Sequence, residues 1–149
     1  MRILMVCLGN ICRSPLAEGV LVEKIKEKGL DWEVDSAGTS SYHIGERPDP
    51  RSIETAELNG IDIRGQRARQ VRKKDFVAFD LIYAMDRSNY NHLVALAGDS
   101  EGVDKVKLIL DEGYPGENRE VPDPYWNNRF DEVFNLLSHS CEQIIRKYT

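Results

Sequence analysis

The sequence predicts an α/β protein, a three-layer sandwich in which a central four-stranded parallel sheet is flanked by helices on both faces. Three observations predict it. Short apolar runs of strand length alternate with longer segments of helical spacing, and strands alternating with helices imply right-handed crossovers and a parallel sheet covered on both sides. The opening run MRILMV is apolar enough for a buried strand, and near the other end Phe130, Val133, Phe134, Leu137, Cys141, Ile144 and Ile145 fall on one helical face, the pattern of a helix laid on a sheet. Finally, 149 residues fit one domain, and a domain of this size buries roughly 68–70% of its unfolded surface.

The elements follow in order. Arg2–Val6 reads as the first strand, and a helix from about Pro15 carries Leu16, Val20, Leu21 and Ile25 before Gly29 stops it. Trp32–Asp35 reads as the second strand. Asp49-Pro50 supplies an N-cap with proline in the first turn, opening a helix through Ile53, Ala56 and Glu57 to Gly60. Phe79–Met85 is the third strand, Asn89–Ala97 a helix behind Asp86 as its cap, and Lys105–Leu110 the fourth strand. No repeat, low-complexity segment or linker interrupts the chain, so residues 1–149 are expected to form a single domain.

Charge and composition narrow the function. Twenty basic residues against 25 acidic ones give a net charge of -5, which disfavours tracking a phosphate backbone, so no nucleic-acid partner is expected. The N-terminal apolar run is broken by Asn10 and Arg13. Neither a secretory signal nor a membrane span is therefore expected, and a cytoplasmic monomer with no membrane partner is. Three cysteines, two close together and one distant, make thiols rather than a disulfide framework. Scattered His43, His92 and His139 offer no zinc set, so no metal and no cofactor is expected.

The chemistry concentrates in CLGNICRS, Cys7 to Ser14, at the junction of the first strand and first helix. In α/β sheets ligands bind outside the carboxyl ends of the strands. A helix N-terminus there is a ready anion site. Gly9 permits a tight turn, the amides of Leu8, Gly9, Asn10, Ile11 and Cys12 can curl around one tetrahedral oxyanion, and the planar guanidinium of Arg13 can fork onto two of its oxygens. Cys7 then lies under the anion, where the same dipole and cation favour a nucleophilic thiolate. A lone cysteine ending a strand is ordinarily a small core hydrophobe; Arg13-Ser14 behind it tips the reading to nucleophile. There is no GK[ST] nucleotide loop and no CxxC.

Transfer of a phosphoryl group to a thiolate also needs a proton donor. In VPDPYW, Asp123 is held between Pro122 and Pro124, whose fixed φ angles stiffen the loop. An isolated Asp-Pro would be only a turn, but Tyr125 and Trp126 after it make a wall for an aromatic substrate.

Together CLGNICRSP and the late DPYW closely resemble the low molecular weight protein tyrosine phosphatases, and SAGT, RPDPR, RARQV and AMDRSN extend the resemblance over nearly the whole chain. The resemblance implies that Cys7 attacks phosphorus, Arg13 binds the phosphoryl oxygens, and Asp123 protonates the leaving phenol and then activates water, without a metal. Ser14 would hydrogen-bond the departing sulfur, Asn10, Ser14 and Ser36 would hold the loop in shape, and Tyr42 and His43 would join Tyr125 and Trp126 along the cleft. Relatives often carry histidine where this chain has Gln66. A phosphotyrosine-containing protein is the implied substrate, and inorganic phosphate or vanadate the implied ligand.

Alternatives carry their own discriminators. An arsenate reductase of similar fold needs relay cysteines; only Cys12 and Cys141 remain, and Cys141 sits on the apolar helix face. A non-catalytic phosphate-binding module needs neither thiolate nor acid. The basic run Arg64, Arg67, Arg69, Arg72, Lys73 and Lys74 reads as a solvated face before a docking patch. Cys12, the nearest thiol to Cys7, is the candidate partner for a protective disulfide under oxidation, and the resemblance points the same way.

Overall fold

The computed structural model describes residues 1–149. Its elements run β1 (Arg2–Cys7), α1 (Arg13–Lys28), β2 (Glu33–Gly38), α2 (Pro50–Leu58), α3 (Asp75–Ala78), β3 (Leu81–Ala84), α4 (Arg87–Ala97), α5 (Ser100–Asp104), β4 (Val106–Leu108), α6 (Ile109–Gly113), α7 (Pro124–Asn127) and α8 (Phe130–Tyr148). The four strands form one sheet in the order β2-β1-β3-β4, every neighbouring pair parallel.

The two-residue period of the strands divides the core into two layers. On β1, Ile3, Met5 and Cys7 face α1 and α8, while Leu4 and Val6 face the opposite cluster with Leu93 and Ala97 of α4. β3 repeats the division: Tyr83 points to the first side, Ile82 and Ala84 to the second. Both faces are covered, which is why β1 is apolar from Ile3 to Cys7. The terminal helix buries Phe130, Val133, Phe134, Leu137, Cys141, Ile144 and Ile145, all the residues its periodicity singles out.

Boundaries differ from the expectations where burial continues past an apolar run or stops within one. β2 extends beyond Asp35 through Ser36, Ala37 and Gly38, which are buried beside β1 although small and weakly strand-forming. β4 is only three residues long, because Ile109 and Leu110 are buried from the first turn of α6 instead. α1 starts at Arg13 and α4 at Arg87, each two residues before the expected start. The short helices α3, α5, α6 and α7 span four or five residues each, about one turn, too short to show an apolar period. No helix is long and apolar enough to cross a membrane.

From β1 the chain crosses to β2 on one side and later returns to β3 on the other. The carboxyl end of β1 is thus the switch point of the sheet, and the loop from Cys7 to Arg13 lies there.

Candidate active site

The loop is shaped by what its carbonyls bind. Thr39 N–H donates to Cys7 O at 2.9 Å, Ser40 N–H to Leu8 O at 2.9 Å, Asp49 N–H to Ile11 O at 2.8 Å, and Ser52 Oγ to Cys12 O at 3.3 Å. With the carbonyls drawn outward, the amides turn toward the concave side, and those of Leu8, Gly9, Ile11 and Cys12 donate to no backbone carbonyl. Helix α1 begins at the loop with no side-chain cap and no acid in its first turn, so its positive end is left for an anion. Asn10 takes φ 57, a left-handed conformation that asparagine tolerates.

Cys7 is 3% exposed and lies at the floor. Its Sγ accepts from Asn10 N at 3.3 Å and sits 3.0 Å from Ser14 Oγ. That second bond belongs to a wider network. Asn10 Nδ2 donates to Ser14 Oγ at 2.8 Å and to Ser36 Oγ at 3.0 Å, while Asn10 Oδ1 accepts from Arg69 N at 3.0 Å. With Cys7 as the thiolate, which can only accept, Ser14 donates its O–H to the sulfur, and Ser36 donates its own to Glu18 Oε1 at 2.7 Å.

Arg13 is buried in the first turn of α1. Its Nη1 donates to Asp86 Oδ2 at 2.8 Å and to Val121 O at 3.1 Å, and its Nη2 lies 3.8 Å from Asp123 Oδ2. Burial alone would lower its pKa, but Cys7, Asp86 and Asp123 together raise it above the ordinary value, so the cation persists. Asp86 caps α4 by accepting from Asn89 N, as expected, and also orients Arg13; the cap signal in the sequence gave no hint of this second contact.

A cavity of about 400 Å³ opens above the sulfur, lined by Cys7, Leu8, Gly9, Ile11, Cys12, Arg13, Tyr42, His43, Asp123, Tyr125 and Trp126. All eleven are residues the sequence singles out. Asp123 caps the four-residue α7, its Oδ1 accepting from Tyr125 N at 3.1 Å. Tyr42 and Trp126 are 81% and 79% exposed, forming walls rather than floor. His43 bonds Glu46 at 2.7 Å and packs over Gly9. No group of three or more His, Cys, Asp or Glu is placed to hold a metal ion.

Three residues matter more than their sequence context implied. Arg69 does not belong to a solvated basic face: it pairs with Asp35 and buried Asp75, both at 3.1 Å, and its segment bonds to Gly38 at the end of β2. Glu18 closes the chain beneath the loop, one helical turn after Ser14. Gln66 donates from Nε2 to Pro15 O at 3.1 Å, leaving its Oε1 without a partner.

Residues 2–148 match the family model for low molecular weight phosphotyrosine protein phosphatase. The solved structure of YfkJ from Bacillus subtilis superposes with a TM-score of 0.93 at 39% identity, covering 99% of this chain and 93% of that one. Low molecular weight phosphotyrosine protein phosphatase 1 of Drosophila melanogaster is 41% identical over 143 residues, 94% of this chain and 89% of the relative. The structure of DARP, named a drosophila arginine phosphatase, gives a TM-score of 0.93 at 32% identity, covering 100% and 98% of the two chains. The fold and its loop thus define a phosphatase, and the chain belongs to the low molecular weight phosphotyrosine protein phosphatase family. It is accordingly an enzyme of the protein-tyrosine-phosphatase class.

Proposed function

We propose that the chain hydrolyses phosphotyrosine in protein substrates, and small aryl phosphates, through a phosphocysteine at Cys7. The observation that carries this reading is the Cys7 sulfur, held by Asn10 N–H and Ser14 O–H at the floor of an aromatic-walled cleft with Arg13 and Asp123 at its sides. The Cys7 thiolate attacks phosphorus as the bond to the phenolic oxygen breaks, and the proton of neutral Asp123 passes to that oxygen. The Asp123 carboxylate then takes a proton from water, whose oxygen attacks the phosphocysteine. The thiolate departs, its charge met by the hydrogen bond from the Ser14 O–H, and phosphate is released. Throughout, the fork of Arg13 and the loop amides hold the equatorial oxygens.

Substrate class follows from depth. Cys7 is almost fully covered while Tyr42 and Trp126 stand exposed at the mouth, so a flat phenyl phosphate reaches the sulfur and a short serine phosphate does not. The test is hydrolysis of p-nitrophenyl phosphate and a phosphotyrosyl peptide in EDTA, wild type beside Cys7→Ser. Cys7→Ser should bind vanadate yet lose turnover; more than trace activity would remove Cys7 as nucleophile. Phosphoarginine belongs in the same assay, because DARP is named an arginine phosphatase. Faster turnover of that substrate than of the aryl phosphates would overturn the phenyl preference.

A further inference from the structure

The helix that carries Asp123 is too short to hold itself in place. α7 has four residues, and a single turn fixes several dihedrals for one or two hydrogen bonds. Something outside it must determine where the Asp123 carboxyl stands, and beyond the Arg13 contact with that carboxyl the side-chain contacts to α7 converge on one residue.

That residue is Arg51, in the first turn of α2. Its Nε and Nη2 each meet one oxygen of the capping residue Asp49 at 3.0 Å, which fixes the plane of the guanidinium. From that plane Nη1 donates to Tyr125 O at 3.4 Å, and also to Asn128 Oδ1. The same cation lies 5.3 Å from the ring centroid of Tyr125 and 4.8 Å from that of Phe130. Arg51 therefore grips α7 in its first turn and at its C-cap, and touches the first residue of α8 as well. Asp49 N–H in turn bonds Ile11 O of the phosphate loop.

We propose that Arg51 is a positioning residue for proton transfer: anchored on Asp49, it holds α7 so that Asp123 stands over the leaving oxygen. The proposal rests on the reading of Asp123 as general acid. A planar fork is needed because two carboxylate oxygens, a carbonyl, an amide oxygen and two ring faces are engaged by one group, which a lysine ammonium cannot imitate.

The experiment compares kcat/KM, which reports events up to departure of the phenol, for phenyl phosphate and p-nitrophenyl phosphate in wild type, Arg51→Ala, Arg51→Lys, Asp123→Asn and Asp123→Asn/Arg51→Ala. Loss of the exposed stacking and hydrogen bonds should lower kcat/KM for phenyl phosphate by about tenfold. For p-nitrophenyl phosphate, whose phenol needs less protonation, the loss should stay below about threefold. Arg51→Lys should recover little of the difference, and in the Asp123→Asn background Arg51→Ala should add nothing. Inhibition by vanadate should not move in Arg51→Ala. An equal loss on both substrates, full recovery by lysine, or an additive double variant would overturn the proposal. If Asp123→Asn shows leaving-group dependence and Arg51→Ala does not, the clamp alone falls; if Asp123→Asn shows none, the acid assignment falls and takes the clamp with it.

Discussion

Replacing Glu18 by glutamine probes the far end of the hydrogen-bonded chain beneath Cys7. Burial pushes the Glu18 carboxyl from 4.5 up to about 7, and Asp35 adds to the rise; the bond from Ser36 and the charge of Arg69 only partly oppose it. Between those two pH values the folded protein keeps a proton that the unfolded chain has lost. The stabilisation is therefore complete below about pH 4.5 and is lost as pH rises through about 7. A displacement from 4.5 to about 7, at about 1.4 kcal/mol per pH unit, corresponds to at most about 3–4 kcal/mol. Glutamine mimics the neutral acid, retains an oxygen to accept from Ser36, and does not titrate. Urea unfolding of both proteins from pH 4 to pH 9 should show equal pH responses at the acid end. The variant should then gain on wild type through neutrality, by up to about 3–4 kcal/mol at pH 8. Parallel stability curves across the whole range would refute the reasoning, since Glu18 would then ionise as freely in the fold as in the open chain.

Two further outcomes are expected. A Cβ at Gly38 would stand 2.7 Å from Leu8 O, a backbone atom of the phosphate loop, so Gly38→Ala should cost about 1–3 kcal/mol of stability and weaken phosphate binding by calorimetry; an unchanged phosphate affinity would mean that the loop yields without losing its shape. The Cys12 thiol is pushed up to about 12, first by burial and then by Asp49 and Cys7, so peroxide should oxidise Cys7 to the sulfenic acid, and Cys12 should then condense with it, releasing water and leaving a disulfide. Peptide mapping should find a Cys7–Cys12 bridge, and Cys12→Ser should make inactivation harder to reverse with dithiothreitol; a bridge to Cys141 would exclude this route.

The floor of the candidate site was legible in the sequence because its parts are contiguous: Cys7 to Ser14 carry the proposed nucleophile, the amides and the cation within one turn and the start of one helix. The walls were legible through Asp-Pro and the aromatics beside it. Glu18, Arg51 and Arg69 were not, for a common reason. Each is an ordinary charged residue locally, and its meaning comes from partners such as Ser36, Tyr125 or Asp75, brought close by tertiary structure alone. The strand limits failed for a related reason, since Ser36 to Gly38 are buried by what packs on them rather than by their own hydrophobicity.

The outward-turned carbonyls of the phosphate loop separate what must stay constant from what is free to vary. Four separate residues, Thr39, Ser40, Asp49 and Ser52, hold those carbonyls, whereas Tyr42 and Trp126 project into solvent and hold none of them. On the proposed reading of the cleft, exchanging either aromatic is expected to alter which phosphate ester enters while leaving the cradle of the phosphoryl group untouched. Under that reading substrate choice is open to editing at the rim one side chain at a time, while the floor is tied to four neighbours at once.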